Sequence, residues 1–319
     1  MKANAVAKGH KAPLSKRLKR DWHKNKWKYI MILPVLIYLF LFCYKPMYGL
    51  VIAFKDYKIT RGIDGSNWSN QWYKWFLNFF TDPYFGRLLK NTFMISGLTI
   101  LFGFPAPIIL ALMINEVKNS AFKRTVQTIT YMPYFISMVV MCGLLKTFCM
   151  QDGLFSQIAM AFGGSGQNFL ANPDYFRTIY VLSDIWSGIG WNSIIYLAAL
   201  SSIDQEQYEA ARVDGANRFK QMIHITLPGL VPTIMVLFIL RMGNILNVGY
   251  EKILLLYNSA TYITADVIST YTYRLSFGGS GNPMYSKSTA IGLFNTIINV
   301  FFLMLTNMIS KKATDAGLF

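Results

Sequence analysis

The sequence predicts an all-α integral membrane protein, and three observations carry that expectation. Apolar residues make up 53% of the 319 positions and charged ones only 14%, where soluble domains carry roughly 25% charged residues. Six apolar stretches approach or exceed the about 20 residues that a helix needs to cross a bilayer core of about 30 Å with every backbone group satisfied. The 31 Lys and Arg outnumber the 15 Asp and Glu and crowd into alternate connections.

The elements follow in order. Residues 1–28 hold ten Lys or Arg against one acid, Asp21, and read as a basic arm that can meet anionic headgroups or simply orient the chain. The first span is expected over about 29–50. Its long basic lead, and the absence of a small-residue cleavage pattern in Phe42-Cys43-Tyr44-Lys45-Pro46, favour an uncleaved anchor. The loop that follows carries Trp68, Trp72, Trp75, Phe76, Phe79 and Phe80, an aromatic concentration suited to a helix at the membrane surface. The second span (about 91–115) contains Pro105 and Pro107, which would kink it. The third (about 126–150) carries Lys146, the fourth (about 178–202) Asp184, and the fifth (about 229–250) Arg241, while the sixth (about 288–310) is free of charge. A short tail, residues 311–319, closes the chain.

Six spans place both termini on one side. That side collects 18 of the 31 basic residues, so it is expected to be cytoplasmic. A net charge of +16 in a polar chain would suggest nucleic acid. In this apolar one it points to membrane lipid and orientation, with no nucleic-acid partner.

Soluble catalytic chemistry finds little support. The three histidines, His10, His23 and His224, share no motif, the three cysteines form no CxxC pair, and no G-x-x-x-x-G-K-[ST] occurs; neither a metal site, a triad nor an ATP cradle is expected. Two glycine clusters, residues 162–166 and 277–281, are nearly identical in sequence but lack the strand and Lys of a phosphate loop, and read as flexible turns.

The connection over residues 201–228 has the strongest local signal. Asp204 followed by Gln207 suits an N-cap, Glu206 and Glu209 sit near the positive end of the helix dipole, and Gly215 permits a sharp turn. Ala210, Ala211 and Gly215 would allow close backbone approach to another protein, although an ordinary linker helix at the interface has the same composition. The spacing Glu209-Ala210-Ala211, then Gly215, then Ile225-Thr226-Leu227-Pro228 resembles the EAA signature of permease subunits in binding-protein-dependent carbohydrate ABC importers. The resemblance extends through residues 48–57, Asn91-Thr92 and Tyr131-Met132-Pro133, and is nearest to the branch handling oligosaccharides or polysaccharide fragments.

That resemblance implies the type I ABC importer permease fold with cytoplasmic N and C termini, and a sugar-importing function. It implies a second, homologous permease as partner, two ATP-binding subunits and an extracytoplasmic sugar-binding protein in a bacterial plasma membrane. ATP and magnesium would belong to the partner ATPase, with no cofactor on this chain. Carried over by position, Glu209, Ala210, Ala211, Asp214 and Gly215 would form the coupling helix docked in the ATPase, with Leu227 and Pro228 linking it to the fifth span.

Charges within a bilayer cost about 2.5–3.5 kcal/mol, so they usually face protein or water. Lys146 can snorkel. On the fourth span Asp184, Ser187, Gly188 and Trp191 share a helical face with Asn192 adjacent, and on the fifth Arg241, Asn244, Val248 and Glu251 would do the same. Asp184, Trp191, Asn192, Arg241 and Asn244 are therefore candidates for a sugar path. The alternative is that Asp184 pairs with Arg241 and Trp191 merely packs. Two other classes compete at this level. A membrane-embedded transferase could use the acids Asp204, Glu206, Glu209 and Asp214, and a secondary transporter would need no ATPase.

Overall fold

The computed structural model describes residues 14–278, 283–314 and 317–318. The first 13 residues of the basic arm, Gly279 to Gly281 of the second glycine cluster and part of the tail lie outside the described residues. Among the described residues the chain is helical, with one isolated antiparallel bridge, Lys55 to Trp68, and no strand. Five helical stretches are long and apolar enough to cross a membrane: Lys24–Phe54, Phe85–Glu116, Met138–Ala161, Arg218–Met242 and Tyr285–Thr314.

Helix α1 (Leu14–Tyr38) joins the basic arm to the first apolar run without a break. The second stretch comprises α3 (Phe85–Leu98) and α4 (Pro105–Glu116), preceded by the short α2 (Lys74–Phe80). Between α3 and α4 lies a wide, π-type turn, Thr99–Gly103. Similar turns occupy Leu39–Tyr44 and Met222–Thr226, and each is followed within two residues by a proline. A proline ring clashes with the carbonyl four residues earlier and offers no N–H. For Pro46, Pro105 and Pro228 that carbonyl belongs to Phe42, Leu101 and His224, all inside the widened turns. The widened turns thus coincide with the positions at which proline disturbs the helix ladder.

Two predicted spans differ from the structure. The run 126–150 is not one helix. It divides into α5 (Ser120–Tyr131), a tight turn Met132–Phe135 containing Pro133, and α6 (Met138–Cys149), which is capped by the Ser137 hydroxyl and followed by α7 (Leu154–Ala161). Pro133 disfavours helix in the residue before it, and Ser137 offers a fresh start. The run 229–250 is also broken. After α11 (Leu227–Met242), itself preceded by α9 (Gln205–Val213) and α10 (Arg218–Gln221), the chain turns and restarts as α12 (Tyr250–Leu256). Arg241, Asn244, Val248 and Glu251 consequently do not share one helix face.

The fourth run forms α8 (Pro173–Ser201), which at 29 residues is about 44 Å long. It is too polar to count among the five apolar stretches, and its position explains how that is tolerated: it packs against α4, α5 and α11 at the centre of the bundle. Gly190 is the point of closest approach. A Cβ there would lie 2.1 Å from the Thr130 carbonyl oxygen. The remaining helices, α13 (Ile268–Phe277) and α14 (Tyr285–Thr314), pack together.

The end of the bundle away from residues 201–228 is fastened by buried charge. Asp266 is fully buried and receives two 2.7 Å bonds from the Arg274 guanidinium, with Arg87 at 3.6 Å. Asp82, in the turn before α3, accepts from Lys287 at 2.6 Å and from the Tyr271 hydroxyl at 2.5 Å. Burial acts to raise the Asp82 carboxyl, but the bonds from Lys287 and Tyr271 outweigh it and hold the group below its ordinary value of 3.8.

Two predictions follow from this packing. Gly190→Ala should force α8 away from α5 and cost about 1–3 kcal/mol, whereas Gly143→Ala, with nothing within 4 Å of the added atom, should be neutral or stabilising; thermal unfolding in detergent compares them. Asp82→Asn leaves Lys287 buried without its countercharge and should cost about 3–5 kcal/mol near neutral pH. A carboxyl depressed on folding contributes its stability above the unfolded value and loses it as pH falls through the folded one. The gap in unfolding temperature between wild type and Asp82→Asn should therefore be flat above about pH 5 and narrow below about pH 4.

Candidate functional site: a polar cavity at the broken helix and an exposed loop

The break after α11 creates the site. Once the helix stops at Met242, its backbone groups need partners within the protein. The Asn299 side chain accepts from the Leu246 N–H at 3.0 Å, the Ser96 hydroxyl donates to the Ile245 carbonyl, and the Ser269 hydroxyl donates to the Val248 carbonyl at 2.9 Å. Contacts from α14, α3 and α13 thus hold the unwound segment open against α8.

Two adjoining cavity lobes of about 320 and 670 Å³ lie between this segment, α8 and the wide turn of the second stretch. Asp184, Arg241 and Asn244 line both, and Trp191 and Asn192 line the larger. All five residues singled out from sequence are therefore brought to one cavity, although the shared helix face expected for Arg241 and Glu251 does not exist. Asn244 donates to the Leu240 carbonyl and accepts from Asn247, both at 3.1 Å. Trp191 stacks flat on Tyr134, with ring centroids 4.6 Å apart, and remains 41% exposed; it packs and lines at once.

The partner of Asp184 is not Arg241. It is Lys252 of α12, whose side chain is 2% exposed, at 3.4 Å. The Lys252 ammonium also donates to the Tyr180 carbonyl at 2.9 Å and sits 4.4 Å from the Tyr180 ring centre, so a carbonyl, a carboxylate and a π face share the desolvated charge. Sequence reasoning missed Lys252, Tyr180 and Asn247. Lys252 sits two residues beyond the expected end of the fifth span, and only the break and restart of the helix return it to the interior. Arg241 is exposed and makes no ion pair among the described residues.

At the opposite end of α8, residues 201–228 form a second feature. The Asp204 carboxylate caps α9 by accepting from the Glu206 N–H at 3.0 Å. Gly215 follows with φ +76°, a conformation that most residues resist. Tyr208 and Thr226 share a hydrogen bond of 3.0 Å, and Gln221 donates to the Ala216 carbonyl at 2.8 Å, which folds the loop back on the start of α11. Glu209, Ala210, Asp214, Gly215, Leu227 and Pro228 remain exposed and Ala211 half-buried, while Val213 is 89% exposed. Behind α9, Arg218 approaches Glu116 at the end of α4 at 3.9 Å.

A bundle with a polar cavity at a broken span and a small-residue helix projecting from one end defines a membrane-embedded transport component. The family described as binding-protein-dependent transport system inner membrane component matches residues 103–315, and the chain belongs to it: a multi-pass protein of the bacterial inner membrane, a permease subunit and not an enzyme. Protein LplB of Bacillus subtilis (strain 168) is 43% identical over 305 residues, covering 95% of this chain and 92% of that protein. The polygalacturonan/rhamnogalacturonan transport system permease protein YteP of the same organism is also 43% identical, covering 95% and 94%. Among solved structures, a chain of a bacterial ABC transporter involved in the import of the acidic polysaccharide alginate superposes with a TM-score of 0.84 at 44% identity, covering 93% of this chain and 99% of that one.

The Lys252 contact gives a direct test. Asp184→Asn should leave the buried Lys252 ammonium without its countercharge and lower stability by about 3–5 kcal/mol, and adding Lys252→Met should recover most of the loss; thermal unfolding of the single and double variants measures both.

Proposed function

We propose that this chain is one of two permease subunits of an ATP-driven importer that moves an oligosaccharide from an extracytoplasmic binding protein to the cytoplasm. The reading includes six crossings, with α8 as a polar sixth beside the five apolar stretches, and both termini cytoplasmic. The convergence of Asp184, Trp191, Asn192, Arg241 and Asn244 on one cavity carries it, because sugars are held by hydrogen-bonding side chains beside flat apolar surfaces. An acidic oligosaccharide suits the cavity best. Arg241 is the cation there that has no carboxylate among the described residues, and relatives carry names referring to polygalacturonan and alginate.

In this reading the exposed helix α9 docks in a groove of the ATPase. Ala210, Ala211 and Gly215 permit close approach, and Glu209 and Asp214 make polar contacts at the rim. Tyr208 and Thr226 then transmit ATPase closure to α11, and so to the cavity wall at Arg241. The four acids of this region fit that role better than transferase chemistry, and a secondary transporter would have no use for such a surface.

Co-expression with the neighbouring permease, ATPase and binding-protein subunits tests the proposal. Saccharide uptake should require ATP and all partners, and transport without an ATPase would overturn it. Trp191→Ala and Asn244→Ala should each lower uptake about tenfold while co-purification with the ATPase persists, and Ala210→Arg should abolish that co-purification. Equal loss of assembly in the cavity variants would remove them from the sugar path.

A further inference from the structure

The wall of the smaller lobe continues as a row of aromatic rings. Tyr250, at the start of α12, lines that lobe. Its ring stacks on Tyr273 of α13 at 5.6 Å and 27°, and Tyr273 meets Phe277 at 5.4 Å. Tyr273 and Phe277 are four residues apart and so share one face of α13. The three rings are 39%, 40% and 70% exposed, so each presents part of its face to an occupant.

The direction of the row is fixed by the anchors of α13. At its start, the Ile268 N–H donates to Thr92 at 3.1 Å and Ser269 to the Val248 carbonyl at 2.9 Å, which hold it against the unwound segment. One turn along, Tyr271 reaches Asp82, and near its other end the Leu275 carbonyl accepts from Met284 at 2.9 Å, next to the start of α14. The row therefore leads from the cavity to the end of the bundle opposite α9. Its inner end is polar: the Tyr250 hydroxyl donates to Glu251 at 3.4 Å, and Arg241 and Asn244 line the same lobe. A surface meant for lipid would not merge with such a wall. Flat apolar rings beside hydroxyl, carboxylate and amide groups match the two chemistries of a pyranose, an apolar C–H face and a hydroxyl rim.

We propose that Tyr250, Tyr273 and Phe277 form a stacking track that receives the sugar units of an oligosaccharide outside the cavity and guides them into it. The proposal rests on the sugar-path reading given above. Occupants that span several units gain most from the track, because they touch the rings and the cavity together.

The test uses the assembled importer with its binding protein and, as probes, disaccharides and pentasaccharides prepared from alginate and polygalacturonan. Tyr273→Ala combined with Phe277→Ala should raise the concentration of loaded binding protein needed for half-maximal pentasaccharide uptake roughly tenfold, and disaccharide uptake less. Tyr273→Phe and Phe277→Trp should stay near wild type. Phe277→Ala alone, at a site too exposed to threaten folding, should give a smaller rise in the same direction. Wild-type half-saturation in the alanine variants, or an equal loss in the aromatic replacements, would overturn the track while leaving the sugar path standing. A wild-type complex that moves no saccharide would overturn both.

Discussion

The structure depends on one constraint: away from water, no backbone N–H or C=O can be left without a partner. In three apolar stretches one proline follows a widened turn, which accommodates the threatened carbonyls of Phe42, Leu101 and His224 within the helix, whereas Pro34 and Pro232 sit in regular helix. The stretch ending at Met242 does something further at its other end. It stops, and its freed groups are collected by Ser96, Asn299 and Ser269 from three other helices. Because those side chains must be in place before the unwound segment is tolerable, the packing of α3, α13 and α14 and the existence of the cavity are one arrangement.

Charge follows the same logic. Asp266 with Arg274 and Asp82 with Lys287 pin the end of the bundle at which α13 and the first loop meet, and Lys252 with Asp184 pins the restarted helix to α8. A pair of this kind adds little net stability, but removal of one partner is costly, so these contacts specify which surfaces meet. Arg241 stands apart from them, facing the space that the others enclose. The first helix contributes to none of this: its apolar side chains from Tyr29 to Tyr44 are almost all exposed, which suits contact with lipid or a second permease.

Much of the architecture was legible from composition and spacing, because bilayer thickness sets a minimum length that a sequence cannot disguise. The loop at residues 201–228 was legible for another reason. Its N-cap and its left-handed Gly215 are local, determined by residues a few positions apart, although the cap partner of Asp204 is the Glu206 N–H and not the Gln207 side chain. Where the reading failed, the cause was partly distant. Gly243 and Asn244 are a local stop signal just past Arg241, but the apolar run outweighed them, and the groups that reward the break lie on helices about 20, 50 and 150 residues away. The division of residues 126–150 was closer to hand in Pro133 and Ser137, but an uninterrupted apolar run outweighed them.

By itself, then, the sequence determined a helical membrane protein, its approximate apolar stretches and an exposed small-residue helix, since length, hydropathy and local capping act within a few turns of chain. It also nominated the five cavity residues, because polar groups in apolar stretches must face protein or water. Only the tertiary structure decided that Asp184 pairs with Lys252 and leaves Arg241 open, and that Tyr250 begins a row of rings. Those outcomes depend on where α11 stops. That point is set by side chains remote in sequence and brought within hydrogen-bond distance only when the bundle closes.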